Sequence, residues 1–243
     1  MHPRTAIVTG AASGIGRAVA ARFAAVGTRV YLLDRDELAG AAAAAAVNAE
    51  TASPAGPLAT FLPCDVTDEN AVREAFAAVA AEAGELDVLV TAAGILEGAF
   101  RPVEELSLET WERVLRVNAT GTFLCCRAAA PLLAPGGTIL CLSSRGGVTG
   151  PSSSLAYGAS KAAVYGFCQT LEKQLGPRAI RVHAVCPGAI DTPMKRRNLQ
   201  DAAEAGVATA AETLLENPER LAELLVLLAS PEAALLTGTL FTR

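Results

Sequence analysis

Short apolar runs alternate with longer Ala- and Leu-rich stretches along the whole sequence, and this alternation limits the possible folds more than any other feature. The short runs are apolar throughout, which is typical of parallel strands covered on both faces. The longer stretches have the length and composition of helices. A repeated strand–helix–strand pattern favours right-handed βαβ units. The sequence therefore predicts an α/β fold with one doubly wound parallel sheet and helices on both faces.

The predicted elements fill most of the chain. We predict strands at Thr5–Val8, Arg29–Leu33, Leu58–Pro63, Val88–Val90, Gly137–Leu142, Arg181–Val185 and Gly238–Thr242. We predict helices at Ile15–Val26, Asp36–Glu50, Glu69–Gly84, Leu108–Leu133, Leu155–Leu175 and Pro218–Ala229. No linker or internal repeat separates them, so we expect residues 1–243 to form a single domain. Segment 191–216 has no clear strand character and is expected to be an irregular substrate-binding loop.

The histidine content and the net charge exclude several classes of function. The chain holds only two histidines, His2 and His183. A Ser-His-Asp site would therefore depend on His183 alone, and a His-rich metal site cannot form, so we predict no metal. With 20 Lys+Arg against 25 Asp+Glu, the net charge is −5. A nucleic-acid-binding protein normally presents a basic stripe, so we expect no nucleic-acid partner.

The cysteines and the apolar stretches indicate the compartment. No C-x-x-C pair is present, and scattered thiols fit a reducing environment in which they serve as small core residues. No apolar stretch approaches the roughly 20 residues that span a bilayer, and no targeting segment is visible. We therefore expect a cytoplasmic protein without a membrane partner. The six cysteines are Cys64, Cys125, Cys126, Cys141, Cys168 and Cys186.

A glycine-rich string, Thr9-Gly10-Ala11-Ala12-Ser13-Gly14-Ile15-Gly16, joins the first predicted strand to the first predicted helix. Glycines at this point let the chain turn tightly, let a pyrophosphate approach the backbone amides, and let the helix pack closely on the sheet. The phosphates would then face the free N–H groups at the positive end of the helix. The alternative is a simple tight turn. The position of the glycine-rich string inside a βαβ unit favours a dinucleotide site and a Rossmann-type sheet over such a turn.

An acidic residue, Asp34, ends the second predicted strand. A carboxylate there accepts hydrogen bonds from the ribose hydroxyls of the adenosine and repels a 2′-phosphate, which favours NAD over NADP. Arg35 leaves the alternative open, because an arginine can pair with a 2′-phosphate. Asp65 and Val66 follow the third strand, where they either flank the adenine ring or, in the case of Asp65, cap the next helix.

Tyr157 and Lys161 are four residues apart at the start of a predicted helix, so they share one helical face. A phenol with a pKa near 10 is a poor general acid or base at neutral pH. A fixed ammonium group nearby stabilises the phenolate and is expected to lower that pKa. Beside a dinucleotide site, the pair indicates proton exchange with the oxygen of an alcohol or ketone.

Together these motifs resemble the short-chain dehydrogenase/reductase family, in its branch of about 250 residues, from Thr9 to about Leu240. The C-terminus is shorter than is usual there, which leaves a dimer and a tetramer both open. The residues that carry the resemblance are the Thr9–Gly16 string, Ala93-Gly94, Asn118, Ser143-Ser144, Tyr157 with Lys161, and Pro187-Gly188 before Thr192.

The resemblance implies roles for individual residues. Tyr157 would exchange a proton with the substrate, Lys161 would hold the nicotinamide ribose, and Ser144 would orient the substrate oxygen. Asn118 would hold a water in a proton relay. Thr192 would bond the cofactor carboxamide, or it caps the next helix. The implied cofactor-binding set is Gly10, Ser13, Gly14, Ile15, Gly16, Asp34, Asp65, Val66, Ala93, Gly94, Tyr157, Lys161, Pro187, Gly188, Ile190 and Thr192.

We therefore expect an NAD(H)-dependent oxidoreductase that interconverts a secondary alcohol and a ketone, active as a homodimer or homotetramer. The alternatives are an NADPH-dependent ketoreductase of 3-oxoacyl or polyketide intermediates and a non-catalytic NAD-binding regulator. The expected substrate-binding residues are Ser144, Arg145 and Tyr157, although Arg145 is also compatible with a surface position. The basic run 195–197 either steers an anionic substrate or is a solvated surface.

Overall fold

The computed structural model describes residues 4–51, 56–207 and 215–242, and in these ranges seven strands form one parallel sheet. All six neighbouring pairs run parallel, in the order β3-β2-β1-β4-β5-β6-β7. The predicted α/β fold with a doubly wound, Rossmann-type sheet is confirmed. The strands are β1 (Thr5–Thr9), β2 (Arg29–Asp34), β3 (Ala59–Pro63), β4 (Leu86–Thr91), β5 (Leu133–Leu142), β6 (Arg181–Cys186) and β7 (Gly238–Phe241).

Helices connect the strands and cover both faces of the sheet. A π-helical turn at Arg116–Thr120 links the fourth helix to the fifth. The α-helices are α1 (Gly14–Ala25), α2 (Glu37–Glu50), α3 (Glu69–Ala83), α4 (Leu108–Leu115), α5 (Gly121–Ala129), α6 (Leu155–Leu175), α7 (Pro193–Glu204) and α8 (Pro218–Ala229).

Buried side chains form two apolar clusters, one on each face of the sheet. In β1, Ala6 and Val8 join one cluster while Ile7 joins the other, because successive strand residues point to opposite faces. Helices α1, α2 and α8 cover the first cluster, and α3, α5 and α6 cover the second. This double coverage explains why the strands are apolar throughout.

Two predicted elements differ from the structure. The helix expected over Leu108–Leu133 is interrupted by the π-helical turn and ends at Ala129, and Leu133 already belongs to β5. Pro131 lies just beyond this end and has no backbone N–H to continue a helix. The loop expected over 191–216 contains helix α7, with Pro193 at its first position and the hydroxyl of Thr192 accepting a hydrogen bond from Lys195 N at 3.1 Å; residues 208–214 of this segment lie outside the described residues.

All six cysteines are free and buried, as predicted. The Cys126 and Cys141 sulfurs are 3.8 Å apart in the cluster beneath α5 and α6. Burial raises the pKa of the Cys64 thiol to about 11, with nearby carboxylates adding to the shift. Over the described ranges, every helix is too short or too polar to cross a bilayer.

Candidate active site

A cleft of about 500 Å³ lies where the strand order reverses, at the carboxyl ends of the strands. Strand β1 pairs with β2 on one side and β4 on the other, and open α/β sheets bind ligands at such a switch point. Eleven predicted cofactor residues line it: Gly10, Ser13, Gly14, Ile15, Gly16, Asp34, Asp65, Val66, Ala93, Gly94 and Thr192.

The glycine-rich turn is packed so tightly that a side chain is excluded at Gly10 and at Gly16. A Cβ atom on Gly16 would lie 2.2 Å from the carbonyl oxygen of Gly10, and one on Gly10 would lie 2.6 Å from Ala93 Cα. Gly10 and Gly14 both have positive φ, which glycine adopts without strain. Ser13 makes no side-chain capping bond to α1, and the first turn carries no acidic residue. The first residues of α1 line the cleft, and their backbone N–H groups have no capping side chain, which fits a dinucleotide phosphate.

We expect Gly16→Ala to weaken NADH binding on the order of 10-fold or more, because the new Cβ pushes the turn away and removes amide–phosphate hydrogen bonds. Fluorescence titration with NADH measures this change. Gly166→Ala is the control, since a Cβ there meets no heavy atom within 4 Å. Equal affinity in the Gly16 variant and the wild type would contradict the close packing.

Two of the three acidic residues in the cleft lining, Asp34 and Asp65, are held by backbone and hydroxyl donors. Asp34 accepts from Ala12 N at 3.0 Å and from Asp36 N at 3.1 Å. Asp65 accepts from the backbone and hydroxyl of Thr67, both at 2.8 Å. A carboxylate has about four acceptor positions, so Asp34 can still accept ribose hydroxyls. Asp65 does not cap α3, because Asp68 holds that position.

Ser144 and Tyr157 lie together beside the end of β5. Tyr157 is on the first turn of α6, whose N-terminus is capped by Ser154. The Ser144 hydroxyl is close enough to the Tyr157 phenol to lower its pKa, so the two hydroxyl groups are neighbours. Gly146 N also donates to Ser144 Oγ, at 3.1 Å. The predicted pair of hydroxyl groups is therefore present in one place.

Lys161 is almost completely buried one turn after Tyr157. Its Nζ donates to the carbonyl of Leu142 at 2.8 Å, and its own carbonyl accepts from Ser143 Oγ at 2.7 Å. Burial lowers the pKa of Lys161 to about 8, with opposing contributions from nearby thiols. A Cβ on Gly94, which lines the cleft, would lie 3.5 Å from Nζ. The ammonium group therefore borders the dinucleotide cleft.

Tyr157 departs from the expected direction of pKa shift. Burial raises the pKa of its phenol, and the hydrogen bond with Ser144 only partly opposes this. The lowering expected from Lys161 is not found. Nζ lies 5.6 Å from the centre of the Tyr157 ring and is directed to Leu142 instead. In this structure Ser144, rather than Lys161, favours the ionised phenol.

Asn118 is fully buried in the π-helical turn, and its side chain ties two parts of the site together. Its Oδ1 accepts from Ile95 N at 2.8 Å, and its Nδ2 donates to Ile95 O and Ser160 Oγ, each at 2.9 Å. Both amide hydrogens thus have protein partners. The water-holding role stays a prediction, and in that role the water would have to donate to a remaining acceptor position on an oxygen atom of Asn118.

Several predicted residues lie outside the cleft lining. Pro187, Gly188 and Ile190 form the loop after β6; Ile190 is buried in the core, and Pro187 O accepts from Arg145 N at 3.0 Å. Thr192 lines the cleft, and its hydroxyl caps α7, which confirms the capping alternative. Its bond to a carboxamide stays a prediction.

Arg145 follows Ser144 and has an exposed side chain. Its backbone is fixed, because its carbonyl accepts from the N–H groups of residues 148, 149 and 150. The exposure agrees with the surface alternative and leaves its substrate-binding role a prediction.

Sequence reasoning did not place the first turns of α7 in the cleft. Pro193, Met194 and Arg197 line it together with Ala12, Ile95 and Val117. The capping threonine followed by proline is a helix-start signal that predicts α7, and a helix there brings the basic run next to the glycine-rich turn.

Comparison with known proteins agrees with this geometry. A family model described as Enoyl-(Acyl carrier protein) reductase matches residues 10–242. A 3beta-hydroxysteroid dehydrogenase of Mediterraneibacter gnavus is 37% identical over 256 residues, which cover 96% of this chain and 91% of that protein.

Solved structures are similar over nearly the whole chain. A variant of actinorhodin polyketide ketoreductase with NADPH has a TM-score of 0.87 and 31% identity, covering 98% of this chain and 95% of that chain. A 3-ketoacyl-(acyl-carrier-protein) reductase from Brucella melitensis, complexed with NADH, has a TM-score of 0.84 and 28% identity, covering 98% and 96%. With a sheet that reverses order at a glycine-rich turn and a Ser, Tyr and Lys beside it, the chain belongs to the short-chain dehydrogenase/reductase family of oxidoreductases.

Proposed function

We propose that the chain is an NAD(H)-dependent oxidoreductase that interconverts a secondary alcohol and a ketone, with Tyr157 as general acid and base. The observation that carries this proposal is the convergence of Ser144, Tyr157 and Lys161 beside a cleft that is lined by the uncapped N-terminus of α1. The similar hydroxysteroid dehydrogenase also supports it, since its name describes action on a hydroxyl group.

The roles follow from the contacts of each side chain. In the reductive direction charge builds on the carbonyl oxygen, and Tyr157 donates its proton there. Ser144 Oγ accepts from Gly146 N–H, and its single hydroxyl hydrogen, which faces Tyr157 in this structure, would turn to the same oxygen when substrate binds. Lys161 provides a buried positive charge, and its ammonium has two donors besides the one used by Leu142. When bound, the nicotinamide cofactor supplies or accepts the hydride.

NADH is the proposed partner because Asp34 lines the cleft at the end of β2. We expect the wild type to bind NADH on the order of 10-fold more tightly than NADPH, because a 2′-phosphate would face this carboxylate. Asp34→Ser should narrow the difference between the NADH and NADPH affinities, because it removes the repulsion between the carboxylate and the 2′-phosphate. Arg35, which can pair with that phosphate, is kept. Fluorescence titration with both cofactors tests this.

Glu37→Gln is the matched control, since it removes a negative charge from the first turn of α2 outside the cleft lining. Tighter binding of NADPH than NADH by the wild type would overturn the NAD assignment. It would favour the second candidate, an NADPH-dependent ketoreductase, which Arg35 in the cleft and the similar NADPH-bound ketoreductase support.

The activity itself is tested with a panel of secondary alcohols and ketones, monitored by NADH and NADPH absorbance. Turnover of at least one pair supports an oxidoreductase. Measurable NAD binding without turnover across a broad panel would favour a cofactor-binding regulator instead.

The assembly and the location are also proposals. Homodimer or homotetramer formation through α5 and α6 is supported by Phe123 and Leu155, which are large, exposed and on these helices. The six free, buried cysteines fit a reducing compartment, which supports the cytoplasm. We further propose one catalytic domain over 1–243, in which segment 191–216 forms part of the substrate site.

A further inference from the structure

One face of helix α7 closes the cofactor cleft. Pro193, Met194 and Arg197 line the cleft, whereas Lys195 and Arg196 do not. The spacing i, i+1 and i+4 places the three lining residues on one side of the helix. The side chain of Arg197 is therefore directed to the cleft side of α7, although it belongs to a run of three basic residues.

The opposite wall is the glycine-rich turn. A Cβ on Gly14 would lie 3.3 Å from Thr192 Cγ2 and 3.9 Å from Pro193 Cδ, so the start of α7 lies against the start of α1. Arg197 follows Pro193 by one helical turn. It therefore lines the same cleft as the N-terminus of α1, which has no side-chain cap and no acidic residue in its first turn, although Asp34 accepts from Ala12 N just before it.

The charges in and near the cleft leave Arg197 available. Arg196 is held by Asp191 through bonds of 2.7 and 2.8 Å. Among the ion pairs of the described ranges, none involves Arg197. Arg35, the other arginine in the lining, directly follows Asp34 at the end of β2, where the adenosine ribose is expected.

We propose that Arg197 binds the cofactor pyrophosphate from the side opposite the α1 amides. This inference rests on the proposed function, which supplies the dinucleotide. A guanidinium group offers a planar fork of donors that matches phosphate oxygens, and its charge complements a doubly negative pyrophosphate. The next residue, Asn198, donates to Ser153 Oγ at 3.0 Å. This bond ties α7 to the loop between Ser144 and α6 and so helps to hold Arg197 beside the cleft.

The test is the affinity for ADP-ribose, which contains the pyrophosphate but no nicotinamide, measured by titration calorimetry on the full chain. Arg197→Ala should weaken ADP-ribose binding on the order of 10-fold or more, which is typical for the loss of a charged hydrogen bond. Lys195→Ala, on the same helix but outside the lining, should stay within about 2-fold of the wild type. Arg197→Lys should recover part of the loss, because it keeps the charge without the fork.

The proposal also predicts an equal loss for NADH and NADPH in Arg197→Ala. A loss confined to NADPH would assign Arg197 to the 2′-phosphate and overturn the pyrophosphate contact. Unchanged ADP-ribose affinity in Arg197→Ala would overturn it as well. If the wild type binds neither ADP-ribose nor NADH, the proposed function fails and this inference fails with it. If the wild type binds both and only the Arg197→Ala result is negative, this inference alone fails.

Discussion

Replacing Tyr157 with phenylalanine is expected to lower kcat on the order of 10²-fold or more, with NADH affinity nearly unchanged. The substitution removes the only phenol at the site and keeps the ring that fills the space on the first turn of α6. Ser144 remains, so a hydrogen bond to the substrate oxygen persists without proton transfer. Steady-state NADH absorbance gives kcat, and fluorescence titration gives the NADH affinity.

Tyr165→Phe is the matched control, since it removes a phenol from the same helix two turns later, where the ring packs against the core. It should turn over like the wild type. If Tyr157→Phe keeps a kcat within a few-fold of the wild type, Tyr157 is not the proton donor. If it also loses NADH binding, the Tyr157 hydroxyl group holds the cofactor and the kcat loss has another cause.

The sheet and the placement of the candidate catalytic residues follow from local sequence. Apolar runs such as Thr5–Thr9 are buried on both faces, so their lack of alternation predicts parallel strands without any tertiary information. Tyr157 and Lys161 are predictable because four residues in a helix fix their relative position. Gly16 is predictable because the geometry of the turn depends on local backbone conformation.

Helix α7 was not predicted because its residues are mostly polar and show no apolar periodicity. Only Asn198 and Ala202 are buried in it. Its position depends on contacts with the glycine-rich turn, which is far away in sequence. Arg197 was not predicted to line the cleft for the same reason. A basic run predicts a solvated surface when the sequence does not show which of its residues share a helical face.

The direction of the Tyr157 pKa shift depends on tertiary structure too. The sequence places Lys161 one turn away, but it does not reveal that Leu142 O accepts from its Nζ or how deeply the phenol is buried. Desolvation is set by all of the surrounding elements, and spacing along one helix does not determine it.

The burial of Lys161 has a cost in folding free energy. Lowering the pKa of Lys161 from 10.5 to about 8 corresponds to about 3 kcal/mol of disfavoured charge in the folded state. Below pH 8 both the folded and the unfolded chain carry this proton, so the cost is complete. Between about pH 8 and 10.5 the folded chain releases the proton while the unfolded chain keeps it, so the stability of the wild type rises with pH through this window.

Lys161→Met is therefore expected to be more stable than the wild type by about 1–2 kcal/mol at pH 7, because loss of the bond to Leu142 O offsets part of the gain. It should also lose kcat on the order of 10²-fold, since the buried positive charge beside Tyr157 is removed. Urea unfolding at pH 7 and pH 9.5 measures the difference in free energy, which should shrink at the higher pH. Lys173→Met, an exposed position on α6, should change the free energy of unfolding by less than about 0.5 kcal/mol. A Lys161→Met protein that is less stable than the wild type at pH 7, or whose advantage does not fall at pH 9.5, would show that the buried ammonium group stabilises this fold.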